Sequence, residues 1–413
     1  MSARGPLAGK VVLDLTTALA GPYATLLLAG LGARVIKIEN PHTGGDSSRN
    51  NSPYLTAEGL STRRASADDL SVSMMLRGRN KRSVALDLKT PAGLAVLREL
   101  VPNADILVEN FSPGVTERLG IDYPTVQPLN PRLVYASISG FGSSGPGQGA
   151  KAMDTIVQAL SGVMMTAGEP GDAPVRFGLP IGDLMAPLFA VIGTLAAVVE
   201  VERGGTGQRV DVSMLGALTS LVACEPFDAF EALGMPTRTG AHVPRLAPFG
   251  TFEARDGWVA LCGPTDAFAA GVFRALGRPE LGSDPRFASR DARVAHAGEL
   301  HGIIGDWMRG LTRDEAVAAL DAEGVPAAPV RTTGEAVRDP QVLARDEIVQ
   351  LRHPAYEHVG ELYGSGLPIR FSAGETRLDE PAPGLGEHTE AVLRELLGYD
   401  DVRLDGLRRD GAL

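Results

Sequence analysis

Several features are scarce in this 413-residue chain, and each absence excludes a class of protein. The only two cysteines, Cys224 and Cys262, are too far apart for a Cys-x-x-Cys site, so no disulfide framework is expected. The seven histidines are scattered and form no His-Glu-x-x-His pattern, which argues against a metal hydrolase. The first residues do not have the pattern of a secretory signal. The sequence thus favours a cytoplasmic protein without a metal site.

Long apolar runs and basic charge are also scarce. Glycine, proline or a charged residue interrupts each apolar run before the roughly 20 residues that a membrane span needs. The chain has 39 basic and 50 acidic residues, a net charge of −11, which argues against general nucleic-acid binding. A small anionic ligand remains compatible with this charge if basic residues gather locally. Arg77, Arg79, Lys81 and Arg82 do so in "RGRNKRS", although a solvated turn is the alternative interpretation.

The first third of the chain alternates short β-branched segments with helical ones. This alternation predicts an α/β fold with a doubly wound, mostly parallel, Rossmann-like sheet. Ligands of such sheets bind beyond the carboxyl ends of the strands. The predicted strands are residues 10–16, 33–39, 83–88, 105–110 and 132–139.

The pattern changes after Cys224, which predicts a second domain. Residues 250–262, "GTFEARDGWVALC", are typical of a hairpin with its turn at "RDG". Helices are expected to follow, the last of them opening with the capping box of Thr312 and Glu315. The prediction is a large α/β domain over 1–224, a small α+β domain over 225–330 and a C-terminal segment over 331–413.

Two familiar nucleotide-binding motifs are incomplete. "VLDLTTALAGPYA" is a strand, turn and helix followed by Glu39, as in a dinucleotide-binding unit, but its turn has one glycine where three are needed. The loop "SGFGSSGPGQG" (139–149) lacks the Gly-Lys-Ser/Thr ending of a phosphate-binding loop. No Gly-x-Ser-x-Gly nucleophile motif occurs. The sequence therefore favours neither a nicotinamide enzyme nor a serine hydrolase.

One carboxylate, Asp183, interrupts the apolar stretch "FGLPIGDLMAPLFAVIGTLAA" (177–197), which contains no basic residue. A helix N-cap is the simplest explanation, since capping contributes about 0.5–2 kcal/mol. The pattern is helical from about Asp183 to Glu202, but Pro187 disfavours helical backbone at residue 186 and so favours a helix that begins at Pro187, with Asp183 in the preceding turn. There an ionised carboxylate can serve as a nucleophile toward an activated acyl group.

Seven stretches, in order from about residue 6 to 398, carry a resemblance over nearly the whole chain. They resemble the family III CoA-transferases, the group that contains formyl-CoA:oxalate and carnitine CoA-transferases. The stretches are "LAGKVVLDLTTALAGPYATLLLAGLGARVIKIENP", "RNKRSVALDLKTPAG", "ADILVENFSPGVTERLG", "NPRLVYASISGFG", "GDLMAPLFAVIGTLAA", "TGQRVDVSML" and "LGEHTEAVLRELLGY".

The resemblance implies an interlocked homodimer whose large domain is completed by the C-terminal segment. Its substrates are coenzyme A, as an acyl-CoA, and a free carboxylic acid, and Asp183 is implied as the catalytic residue. Basic residues in the set suit the phosphates of CoA. The implied CoA contacts are Ala18, Leu19, Ala20, Arg79, Lys81, Asn110, Phe111, Arg118 and Lys151.

The resemblance also implies a chemistry with two covalent stages on Asp183, a mixed anhydride and then a CoA thioester. Backbone N–H groups near Gly182, or in the segment 246–252, are candidate oxyanion donors. Leu19 replaces a glutamine, and Asn40 an arginine, of some family members. The small domain lacks the glycine run of the formyl-CoA branch, so a different acid is expected.

Two alternatives to transfer remain, and the acid is not identified. A related branch racemises 2-methylacyl-CoA with a histidine and an aspartate, but the histidine position falls on Met153, which carries no proton. A non-catalytic acyl-CoA binder is the second alternative. Arg49, Arg176 and Arg245 are candidates to bind a second carboxylate, and each is equally interpretable as a surface residue.

Overall fold

The computed structural model describes residues 5–356 and 361–413. These form two compact units. The first takes the described residues up to Gly162, then Arg176–Cys224, and those from Val337 onward. The second takes Val163–Val175 and Glu225–Ala336. Residues 163–175, which the sequence prediction assigned to the large domain, thus fold with the second unit.

The strands of the described residues are numbered in chain order: β1 Val11–Asp14, β2 Arg34–Glu39, β3 Tyr54–Thr56, β4 Gly59–Ser61, β5 Leu70–Ser71, β6 Lys81–Ala85, β7 Ile106–Glu109, β8 Val134–Ser139, β9 Arg209–Ser213, β10 Phe249–Ala254, β11 Gly257–Cys262, β12 Ala327–Pro329, β13 Ile348–Gln350 and β14 Tyr363–Ser365. The α-helices are numbered in the same way: α1 Ala20–Gly30, α2 Val72–Arg77, α3 Pro91–Leu100, α4 Val115–Leu119, α5 Tyr123–Val126, α6 Asp154–Leu160, α7 Ile181–Glu202, α8 Met214–Val222, α9 Phe227–Ala232, α10 Asp266–Ala275, α11 Arg290–Ala295, α12 Ala297–Arg309, α13 Arg313–Ala322, α14 Thr333–Ala336, α15 Pro340–Ala344, α16 Thr389–Leu397 and α17 Asp401–Arg409.

The first unit is built on a sheet with strand order β6-β2-β1-β7-β8-β9, in which every neighbouring pair is parallel. Its central strands are buried on both faces, as parallel strands covered by helices must be, and Val12, Leu13 and Ile36 are almost fully buried. The predicted α/β fold class is confirmed. The sequence did not predict β9, because this edge strand is half-exposed and lacks a continuous apolar run.

The strand order reverses at β1. From β1 the chain adds β2 and β6 on one side, and later β7, β8 and β9 on the other. The carboxyl ends of β1 and β7 therefore lie side by side, with the loop 15–19 following one strand and Asn110 following the other. In doubly wound sheets this reversal creates the crevice in which ligands bind.

Helix α7 begins at Ile181, so the prediction that it begins at Pro187 is wrong. A proline in the seventh helical position lacks the N–H that would bond to the carbonyl of Asp183 four residues earlier, but its ring does not prevent the first turn from forming. The first turn also has a side-chain acceptor, since the N–H of Gly182 donates to Asp154. Asp183 therefore lies inside the first turn and not before it.

By length and composition alone, α7 is also the one described helix apolar enough to cross a membrane. It packs against α1 and α8 and lies against β8 and β9 of the main sheet. Buried positions along it include Ala190, Thr194 and Ala197, on the side toward these elements. A core helix has these contacts, so the criterion carries little weight here.

The C-terminal residues complete the first unit. Val392 of α16 and Leu404 of α17 are buried in the same core as Leu13 and Ile36 of the main sheet. Helix α16 ends at Gly398, which has the left-handed conformation (φ 68°) that commonly terminates a helix. Burial of these apolar side chains explains why the chain returns to this unit.

The second unit has an antiparallel sheet with strand order β10-β11-β12. The predicted hairpin is confirmed, with β10 and β11 joined across Arg255 and Asp256. The predicted capping box is also confirmed, because Thr312 and Glu315 exchange side-chain and backbone hydrogen bonds at the start of α13. Helices α12 and α13 pack on this sheet, and α10 packs against α13, around a core that includes Phe252 and Val259.

Candidate active site

Asp183 has a half-buried carboxylate in the first turn of α7. Across residues 5–356 and 361–413, no side chain forms an ion pair or hydrogen bond with it. Its pKa is raised to about 6, mainly by burial and also by the negative charge of Asp154, while the positive charge of Arg77 partly opposes both effects. The carboxylate is therefore mostly ionised at neutral pH and has lone pairs free for reaction.

Helix α6 holds the backbone on which Asp183 stands. The carboxylate of Asp154 accepts the N–H of Gly182 (2.8 Å) and the amide of Gln158 (2.7 Å). Gln158 in turn accepts the N–H of Phe177 (2.9 Å). These bonds fix the segment leading into α7, and sequence reasoning missed both residues. The available signal was an acidic residue and a glutamine four positions apart at a helix start.

Gly182 permits a close approach between α6 and α7. A Cβ atom on it would lie 2.9 Å from Cγ2 of Val157 and 3.2 Å from Oδ1 of Asp154. Because its N–H already donates to Asp154, Gly182 itself is not a free oxyanion donor, and the predicted donor near Gly182 stays a prediction. The backbone N–H of Asp183 itself has no acceptor in the described part of the chain.

The loop after β1 is held rigidly at the strand-order reversal. The side chain of Asn110 accepts the N–H of Thr17 and donates to its carbonyl, both at 2.9 Å. Asp46 accepts the N–H of Ala18 (2.9 Å), and Nη1 of Arg77 donates to the carbonyl of Ala18 (3.1 Å). These bonds support the left-handed backbone of Ala18 (φ 68°), a conformation that a non-glycine residue rarely adopts.

Other predicted CoA contacts lie around the same reversal point or on the surface. Leu19 is half-buried and caps α1, Ala20 is its first residue, and half-buried Phe111 follows Asn110 beyond β7. Arg118 is exposed on α4. Lys151 is exposed three residues before Asp154. The structure thus brings together the residues that follow β1 and β7.

Lys81, by contrast, is buried inside the first unit and only 3% exposed. Its Nζ donates to Asp14 (3.0 Å), to the carbonyl of Pro22 (2.9 Å) and to Thr25 (2.7 Å). An ammonium has three donors, and all three are used. Burial lowers its pKa to about 8. In this arrangement Lys81 has no donor left for a phosphate, and we do not include it among the proposed CoA contacts.

Arg79 is also buried and serves the C-terminal segment. Its guanidinium donates to the carbonyls of Leu378 (3.0 Å), Ser365 (2.6 Å) and Leu76 (3.2 Å). Burial lowers its pKa to about 10. The neighbouring Asn80 donates to a carbonyl of the same segment. The C-terminal segment therefore occupies the guanidinium of Arg79, and we do not include Arg79 among the proposed phosphate contacts.

The arginines that the sequence suggested for a second carboxylate are placed differently. Arg49 forms a two-point ion pair with Glu39, with both contacts at 2.7 Å, so its fork is already occupied. Arg245 pairs with Glu225 (2.9 Å), and Arg176 is exposed. The cation that the structure places in electrostatic reach of Asp183 is Arg77, 106 positions earlier in the chain.

Comparison with known proteins shows which family this chain resembles. A family model described as CoA-transferase family III matches residues 7–389. A succinate–glutarate CoA-transferase of Agrobacterium fabrum is 34% identical over 95% of this chain and 96% of its own. A succinyl-CoA–D-citramalate CoA-transferase of Chloroflexus aurantiacus is 34% identical over 97% of this chain and 96% of its own.

A solved structure gives the same result. The crystal structure of a CAIB/BAIF family protein from Brucella suis is 33% identical, covers 95% of this chain and 100% of its own, and has a TM-score of 0.82. The chain belongs to CoA-transferase family III. It is an enzyme that transfers CoA between an acyl-CoA thioester and a carboxylic acid.

Proposed function

We propose that this enzyme transfers CoA to a free dicarboxylic acid through covalent intermediates on Asp183. The observation that carries the proposal is the carboxylate itself. It is half-buried, bonded to no described side chain, and its pKa of about 6 keeps it ionised at neutral pH. A carboxylate that is partly desolvated and unpaired is a better nucleophile than one held in an ion pair.

The first half of the reaction loads CoA onto the enzyme. The carboxylate of Asp183 attacks the carbonyl carbon of the acyl-CoA, the carbon–sulfur bond breaks, and CoA leaves as a thiolate, giving a mixed anhydride. The thiolate then attacks the Asp183 carbonyl, which releases the donor acid and leaves an Asp183–CoA thioester. Each step exchanges one activated acyl bond for another, so no step is strongly uphill.

The second half reverses these steps with the acceptor acid. Its carboxylate attacks the Asp183–CoA thioester to form a second anhydride, and the released thiolate attacks the acceptor carbonyl. The new acyl-CoA leaves and Asp183 is regenerated as a carboxylate. This sequence consumes neither a metal ion nor a nicotinamide. It does require that water be kept from the anhydride.

We propose that CoA contacts the residues at the strand-order reversal. Ala18, Leu19 and Ala20 offer a fixed backbone surface, and Asn110 and Phe111 lie opposite them beyond β7. The exposed cations Arg118 and Lys151 are the retained candidates for the CoA phosphates, since phosphate favours Arg and Lys. Crevices at this position of a doubly wound sheet are the usual ligand sites.

The class of acid follows from the relatives and from charge. The names of the two relatives described above refer to succinate, glutarate and citramalate, in free or CoA-bound form, which are all dicarboxylic acids. A second carboxylate on the substrate needs a cation near Asp183, and Arg77 supplies one. We therefore propose a short dicarboxylic acid as acceptor.

We further propose that the enzyme is a homodimer of the cytoplasm. Leu188, Ile192 and Val199 lie on one face of α7 and are exposed in the single chain, Ile192 to 64%. Ile156 and Leu160 of the adjacent α6 are exposed as well. An apolar surface of this kind is typical of an interface, and a second subunit there would also shield the neighbouring Asp183.

A panel of acids with two donors tests the function. Purified enzyme is incubated with succinyl-CoA or acetyl-CoA and each of several mono- and dicarboxylic acids, and new thioesters are identified by mass spectrometry. Exchange that requires an acceptor acid and disappears in Asp183→Asn supports the proposal. Exchange of solvent deuterium at C2 of a 2-methylacyl-CoA without any acid would instead indicate a racemase, and CoA binding without exchange would indicate a binding protein.

A further inference from the structure

Within the described residues, the fold uses only one donor of the Arg77 guanidinium. Arg77 is the last residue of α2, half-buried, and its one hydrogen bond to a described residue is the bond from Nη1 to the carbonyl of Ala18. A guanidinium has five N–H donors, so most of them remain available. Within residues 5–356 and 361–413 no carboxylate pairs with it. Arg49, Arg79 and Arg293 are instead bonded to several protein oxygens each.

The position of this group relates it to the reacting centre. The charge of Arg77 acts on Asp183 and on Asp46, yet it forms an ion pair with neither, so its nitrogen atoms are more than 4.0 Å from their carboxylate oxygens. The carbonyl that Arg77 bonds, that of Ala18, lies just before α1, and α1 packs against α7, the helix that carries Asp183. A small substrate that carries an anionic group at its far end would fit this charge arrangement.

We propose that Arg77 binds the non-reacting carboxylate of the dicarboxylic acid and so determines the enzyme's preference for diacids. This inference rests on the proposed function. With one carboxylate held by the guanidinium, the other is presented to the Asp183–CoA thioester. The two-point geometry of Arg matches a carboxylate, and partial burial strengthens the pair relative to one in water.

A CoA phosphate is a less suitable occupant of the same group. The phosphates of CoA are separated from the thioester sulfur by the whole pantetheine arm, whereas Arg77 lies within electrostatic reach of the residue that attacks the thioester. The exposed cations Arg118 and Lys151 remain available for the phosphates. We therefore assign Arg77 to the carboxylic acid and not to the CoA phosphates.

The test compares diacids with monoacids of the same chain length in Arg77→Met. The kcat/KM values for succinate and butyrate, and for glutarate and valerate, are measured with acetyl-CoA as donor at pH 8, where Asp183 is ionised. For the diacids kcat/KM is expected to fall about 10- to 100-fold, the range for loss of a charged hydrogen-bonding partner. For the monoacids it should change little. Arg77→Lys, which keeps the charge but not the fork, should give an intermediate loss.

Arg82→Gln is the matched control. Arg82 lies on β6, is exposed, and pairs at 3.3 Å with the exposed Glu395, so its loss removes the same charge from the surface. Its diacid preference should equal that of the wild type. A mass-spectrometric measurement of the Asp183–CoA adduct, made with acetyl-CoA and no acid, reports on the first half-reaction alone and should be little changed in Arg77→Met.

Other results would overturn the inference. An equal loss for diacids and monoacids would mean that Arg77 acts through the Ala18 loop. A raised KM for acetyl-CoA with unchanged acid preference would assign it to the CoA phosphates. If the adduct forms on Asp183 but Arg77→Met keeps the diacid preference, the proposed role of Arg77 is contradicted and the covalent mechanism is not. If the wild type forms no adduct but Arg77→Met still loses the diacid preference, the covalent mechanism is contradicted and the role of Arg77 in binding the second carboxylate is supported.

Discussion

Replacing Asp183 by Asn is expected to make the protein more stable at pH 8. The ionised carboxylate is partly removed from water without a bonded side chain among the described residues, and its pKa is raised from 3.8 to about 6. Folding therefore favours the protonated form, so stability is lost as pH rises from about 4 to about 6 and stays lost above that. Asparagine has a similar shape and no charge, so it does not carry this cost.

The size of the effect follows from the shift. About two pKa units correspond to about 3 kcal/mol as an upper limit, and solvent screening of a half-buried group reduces this to about 1–3 kcal/mol. The gain in Asp183→Asn should be complete at pH 8 and about half as large at pH 5, because part of the wild-type carboxyl is then protonated. The thermal midpoint of the first unit is expected to rise by about 2–5 °C at pH 8.

The assay is thermal or urea unfolding of wild type and variant at both pH values. Asp154→Asn is the matched control, since it removes the same charge but also weakens the acceptor of the Gly182 N–H. It should be destabilising, by about 1–3 kcal/mol. An Asp183→Asn protein that is less stable than the wild type at pH 8, or whose gain is the same at pH 5, would refute the reasoning.

Three further predictions concern activity and stability. With saturating acid, kcat/KM for acyl-CoA should rise with pH around a midpoint near 6 as Asp183 ionises, and a flat profile from pH 5 to 8 would count against Asp183 as the nucleophile. Lys81→Met should lower the unfolding free energy by about 3–5 kcal/mol, because it removes a buried ion-pair partner of Asp14. Lys151→Met, at an exposed position, should leave stability unchanged and raise KM for acyl-CoA. Gly182→Ala should reduce kcat, since the added methyl meets Val157 and displaces the first turn of α7; unchanged kcat would show that the turn tolerates the shift.

The sheet was predictable where burial leaves a continuous pattern. Strands β1, β2, β7 and β8 are buried on both faces and therefore read as short apolar runs. Strand β9 alternates between half-exposed and exposed residues at the sheet edge, and no local signal separates it from a loop. The start of α7 was misplaced because Pro187 suggested a boundary, while the bond from Gly182 to Asp154 that stabilises the true one joins residues 28 positions apart.

The candidate site was only partly predictable for a related reason. Asp183 is visible as a lone charge in an apolar stretch, which is a local signal. The roles of Arg77, Arg79 and Lys81 depend on groups far away in the chain, such as Asp14 and Ser365. A cluster of basic residues in sequence does not reveal which members are buried. In the described part of the chain, Arg79 and Lys81 hold the fold, whereas Arg77 uses one donor and leaves the others free.

The most direct test of the covalent account is to follow oxygen from the acid into the enzyme. The enzyme is incubated with acyl-CoA and an acceptor acid labelled with 18O in its carboxylates. The mass of the tryptic peptide from 177 to 203 is then measured by mass spectrometry. Collapse of the second anhydride leaves one acceptor oxygen on Asp183, so this peptide should become heavier, with the label located on Asp183. Thioester exchange that proceeds while the peptide stays unlabelled would contradict the covalent mechanism.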